Sequence, residues 1–162
     1  MPDESAVRET LLRSRTESRR QIERIYAEQP LRFETLSACI REFILARFLL
    51  SAEESEGVDF QALAELSLAK TMKLSPEQVR EFDTARSCAG ATSAMVKKTL
   101  LYLSIQKELH IELDAPKTPK VHSFDAFSRL VWDAMLGTEY WPPRMEETES
   151  MILQEVSDNG ET

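Results

Sequence analysis

The amino-acid sequence predicts an all-α protein, and three observations carry the prediction. Long segments repeat their apolar residues at the 3.6-residue helical period. The 162 residues include only four glycines against 42% hydrophobic residues, which suits a helical core of one ordinary domain. Helix-start signals recur, clearest in Ser75, Pro76, Glu77 and Gln78, where Ser at the cap, Pro at the first helical position and Gln three residues after the cap spell a capping box.

In chain order, residues 3–29 predict a highly charged helix whose apolar residues (Val7, Leu11, Leu12, Ile22, Ile25, Tyr26) thin out in the middle. Its arginine-rich centre, with Arg13, Arg15, Arg19, Arg20 and Arg24, is interleaved with Glu17 and Glu23 and is read as a solvated face rather than a docking strip. Pro30 ends it. Residues 33–50, from Phe33 to Leu50, are the most apolar stretch. Leu36, Ile40, Phe43 and Arg47 make one stripe and Phe33, Ile44 and Phe48 another, so more than one face must be buried. Either the rest of the chain or a second copy must supply the cover, and a homodimer through this region is expected.

The polar stretch 51–59, marked by Gly57, is the expected boundary after an N-terminal pair of helices. A moderately amphipathic helix follows over 60–73, then a short one from the capping box through Phe82. Residues 93–110 predict the central helix, capped by Ser93, with Val96, Leu100, Leu103 and the Lys107 stem on its inward stripe, widened by Met95, Tyr102, Ile105 and Leu109. Pro116 and Pro119 mark a crossing loop over 114–121. Ser123 caps a last helix to Met135, with Phe124, Phe127, Leu130, Val131 and Ala134 facing inward. Residues 138–162 form an acidic, flexible tail in which Met151, Ile152, Leu153 and Val156 could make a short amphipathic turn on binding.

Leu109, Ile111 and Leu113, after Lys107 and Glu108, resemble the Glu-Glu-x-Phe-x-Ile-x-Ile ending of the second helix in acyl and peptidyl carrier proteins. Gly90, Ala91, Thr92 and Ser93 resemble that helix's Gly-x-Asp-Ser-Leu opening. The resemblance spans about 58–136 and implies a carrier-protein-like helical bundle over 57–137, preceded by a helical extension over 1–56 and followed by the tail. It also implies that Ser93 stands where the family's serine carries a phosphopantetheine arm. Thr92 stands in place of the family's Asp and Ala94 in place of its Leu, and Lys97 and Lys98 in place of acidic residues that partner enzymes grip. The expected function is a non-catalytic, accessory or interaction module with a degenerate phosphopantetheine site. The alternative is an active carrier modified at Ser93, and in either case the implied partner is a biosynthetic or carrier-modifying enzyme.

The charge of −8 and pI near 4.9 argue against nucleic acid or an anionic membrane as partner, because phosphate binding needs a net basic face. No apolar run approaches the roughly 18 residues of a membrane span, and the opening MPDESAVRET has no secretory pattern, so a cytoplasmic location is expected. Cys39 and Cys88 have no paired-ligand spacing and predict neither disulfide nor zinc site. His110 and His122 lie on different elements, and each is read as a surface or loop histidine. Ser93 and Lys97 are spaced i, i+4, which is not the Ser-x-x-Lys pattern of acylating enzymes, and GATSAMVKK is not a phosphate loop. Neither catalytic nor metal-binding residues are expected.

Overall fold

The computed structural model describes residues 3–86, 92–114 and 117–138. Its elements there are helices alone: α1 (Glu4–Ala27), α2 (Phe33–Phe48), α3 (Phe60–Met72), α4 (Pro76–Arg86), α5 (Ser93–Leu109) and α6 (Phe124–Leu136), with 3-10 turns at Glu53–Ser55 and Thr118–Lys120. The all-helical expectation holds. Side-chain oxygens satisfy the free first-turn N–H groups of most of these helices. Asp3 accepts from the Ser5 N–H, Asp59 from Ala62 and Ser123 from Ala126. At α4 both bonds of the capping box form, the Gln78 N–H donating to Ser75 Oγ at 3.2 Å and the Ser75 N–H to Gln78 Oε1 at 2.8 Å. That helix runs one turn past its expected end, to Arg86.

The hub is α2, not α5. Helix α2 packs against α1, α3 and α6. Leu36, Cys39, Ile40, Phe43 and Ile44 are wholly removed from solvent. Its end is held by neighbours: Ser14 Oγ donates to the Ala46 carbonyl at 2.7 Å, Ser67 Oγ to the Phe48 carbonyl at 2.6 Å and Lys70 Nζ to the Leu49 carbonyl at 2.9 Å. Carbonyls in the last turn of a helix have acceptor capacity to spare, so these three bonds tie α1 and α3 to the end of α2. At its start, Phe33 meets Trp132 edge-on at 5.8 Å. Both stripes foreseen on this helix are therefore covered, and the chain itself supplies the cover.

An aromatic cluster joins the remaining helices. Phe60 meets Phe127 edge-on at 5.6 Å, and Phe127 stacks on Tyr102 at 4.9 Å, linking α3, α6 and α5. One continuous set of buried residues runs from Ile22 to Met135, so the N-terminal pair of helices and the following part share a core.

Helix α5 buries only the flank of the stripe expected: Tyr102, Ile105 and Leu109 face inward as foreseen, but Val96, Leu100 and Leu103 do not. Ala94, Leu101, Tyr102, Ile105 and Leu109 point inward. Val96, Leu100 and Leu103 point outward, with Leu100 60% and Leu103 53% exposed. At 100° per residue these two sets lie on opposite sides of the helix, and each shows helical periodicity. Periodicity identifies residues that share a face; it does not say which of two apolar faces the neighbours will cover.

Candidate functional site

Thr92, not Ser93, caps α5: its Oγ1 accepts the Met95 N–H at 3.1 Å. Ser93 is the first helical residue and is exposed. The shift of one residue follows from backbone conformation, since Thr92 is extended (φ −83°, ψ 160°), the geometry a capping residue needs. Gly90 and Ala91, on which the resemblance of the helix start also rests, lie outside the described residues, as do Cys88 and the tail from 139 onward.

The lysines that follow, Lys97 and Lys98, are half-buried. Lys97 Nζ sits 5.5 Å above the Phe48 ring and Lys98 Nζ 6.0 Å from the Tyr102 ring. Removal from water pushes both ammonium groups below their ordinary range, with the Asp59 charge opposing the shift at Lys98. Beside them a cavity of about 300 Å³ is lined by Met95, Lys98, Tyr102, Leu103 and Leu113. Among the described residues the buried Tyr102 hydroxyl has no hydrogen-bond partner, and burial pushes it up to about 12. His110 and His122 are both exposed. Among the described residues no cluster of three His, Cys, Asp or Glu side chains is placed to hold a metal, and no helix is long and apolar enough to cross a membrane.

A groove of about 1060 Å³ lies between α1 and the outward face of α5. Leu12, Leu100 and Leu103 line it together with five cations, among them Arg15, Arg19, Arg47 and Lys107, and two carboxylates, Glu23 and Glu108. A second recess of about 860 Å³ continues it along the start of α1, past Val7, Leu11 and Arg47. Leu11 and Leu12 are more than half exposed, as are Leu100 and Leu103.

Arg47 joins the two recesses. Its Nη2 donates to Ser104 Oγ at 3.2 Å and its guanidinium lies 5.4 Å from the Phe43 ring, while its Nε is buried without a partner. Elsewhere cations find carboxylates: Arg13 with Glu9, Arg32 with Glu28, Lys70 with Glu54, Arg80 with Glu65 and Arg129 with Asp125. Among the described residues Arg15, Arg19, Arg47 and Lys107 make no ion pair. On a chain of charge −8 this groove is a local basic surface with exposed leucines. It can bind a segment that is itself apolar on one side and acidic around it, since such a segment covers the leucines and neutralises the arginines together.

Two signals for this site were already in the sequence. Arg47 falls on the same stripe as Ile40 and Phe43, which marks a partly buried arginine, and α5 carries more apolar residues than one face can use. The arginine strip of α1, read as solvated, is indeed exposed, and Arg15 and Arg19 also border the groove. In comparisons with known proteins, no family model, no curated protein and no solved structure matches the chain.

Proposed function

We propose that the protein is a non-catalytic, cytoplasmic interaction module with a carrier-protein-like half, and that its contact surface is the groove between α1 and α5. The observation that supports this is the exposure of Leu11, Leu12, Leu100 and Leu103 beside arginines that make no ion pair among the described residues. Neighbouring exposed leucines rimmed by charged side chains are the form an interaction surface takes. The partner fitted to it is a protein with an acidic amphipathic segment; a biosynthetic or carrier-modifying enzyme is the candidate that the resemblance suggests. A photo-crosslinker at Leu103 of the full chain, expressed in the native host, is expected to capture such a protein. Leu100→Glu in the same chain should abolish the capture, and capture unaffected by that charge would overturn the proposal. A homodimer through α2 has no exposed apolar face left to form it, and the groove is the surface open to a partner.

A second reading has one observation in its favour. Ser93 is exposed in the first turn of α5, with Thr92 supplying the cap, so its hydroxyl is spared from that task. A phosphodiester there would face the positive end of a helix dipole. Incubation with coenzyme A and a broad-specificity phosphopantetheinyl transferase is expected to leave the mass unchanged. A mass gain that disappears in Ser93→Ala would establish the carrier instead.

A further inference from the structure

We propose that the groove between α1 and α5 is occupied by the chain's own acidic segment, residues 146–158, until an outside partner displaces it. The inference rests on the reading of that groove as the contact surface and assigns its regulation.

Three facts support it. The groove presents Arg15, Arg19, Arg47 and Lys107, none of them ion-paired among the described residues, around Leu12, Leu100 and Leu103, with Glu23 and Glu108 as its carboxylates. Residues 146–158, EETESMILQEVSD, combine Met151, Ile152, Leu153 and Val156 with Glu146, Glu147, Glu149, Glu155 and Asp158, and contain no basic residue. Ile152 and Val156 are spaced i, i+4, so the segment can offer an apolar face with acids beside it, matching the groove in both properties. The residues from 139 to 150 can extend up to about 40 Å, more than the roughly 24 Å length of α2, the helix against which both α1 and α6 pack.

Tethering makes even a modest fit effective. A segment tethered at this length is present at an effective concentration of about 1 mM, so an intrinsic dissociation constant of about 100 µM leaves the groove roughly nine-tenths filled. An outside segment of the same chemistry then binds about tenfold more weakly than it would to an open groove. Because the attraction is partly between exposed charges, salt weakens it.

The test uses the full chain and a synthetic peptide copying residues 146–158. Its affinity is measured for the wild type and for Ile152→Ser/Val156→Ser, which leaves every residue of the described fold untouched. The double variant is expected to bind the peptide about tenfold more tightly than the wild type, and adding Leu103→Asp to it should abolish binding. In ¹⁵N-labelled wild type, the amide resonances of Leu12, Leu100 and Ser104 should move toward those of the double variant at high salt and stay constant on dilution. Equal affinities for wild type and variant would show an open groove and overturn the self-occupancy alone. Resonances that move on dilution would place a second copy's segment there and overturn it as well. Peptide binding that survives Leu103→Asp would sink the groove as contact surface together with its occupant.

Discussion

Thr92 and Ser93 differ by one position and by role. The Thr92 hydroxyl satisfies the Met95 N–H, and that of Ser93 is exposed. Thr92→Ala should cost about 0.5 to 2 kcal/mol in denaturant unfolding, and Ser93→Ala only a few tenths. Equal costs would return the cap to Ser93.

Tyr102 offers a second test at this scale. Its ring is stacked and buried, but its hydroxyl has no partner among the described residues, so Tyr102→Phe should be neutral or stabilising by up to about 1 kcal/mol at neutral pH. The alkaline limb should also change. The phenol titrates near its ordinary value of about 10 when unfolded and at about 12 when folded, so between these the folded state holds a proton that the unfolded chain has released. Stability from this group is full below pH 10 and falls by roughly 2 to 3 kcal/mol as pH rises toward 12. Lys97 and Lys98, shifted down, act with the opposite sign: they weaken folding while protonated, and that loss shrinks as pH rises. The difference between wild type and Tyr102→Phe isolates the tyrosine, and it should widen above pH 10 in thermal melts.

Among the elements, α5 shows how far periodicity can lead. Its boundaries are close to those expected, because Thr92 and Ser93 signal the start, while His110 ends it in the left-handed conformation (φ 52°). Its orientation is not legible in the sequence, because Val96, Leu100 and Leu103 are as apolar as Leu101, Ile105 and Leu109. Unfolding measurements separate the two faces. Leu100→Glu and Leu103→Glu should each change stability by less than about 0.5 kcal/mol. Ile105→Ala and Leu109→Ala should each cost about 2 to 5 kcal/mol, since both side chains are wholly buried. The reverse order would mean that α5 packs by its other face. Helix α4, in contrast, was legible to the level of individual hydrogen bonds, because a capping box is a contact between residues three apart and needs no tertiary partner.

For the whole molecule, the consequence of α2 as hub is that a second copy is not needed to cover it. Phe43, Ile44 and Leu45 are buried by helices of the same chain. Sedimentation at about micromolar concentration should give a monomer. A dimer that survives Leu103→Glu would show that a surface other than the groove associates.

Helix content, most helix starts and the apolar weight of α2 follow from local chemistry: side chains that cap nearby N–H groups, a proline that stops a helix, and the shortage of glycine. These act over a few residues and are present before the chain folds. The choice of hub, the inward face of α5 and the gathering of Arg15, Arg19, Arg47 and Lys107 around exposed leucines depend on which helices meet. That choice is made by total apolar area buried and by long-range bonds such as Tyr26 Oη to the Glu108 carbonyl and Ser67 Oγ to the Phe48 carbonyl. Such terms couple residues far apart in the chain, so no window of sequence contains them.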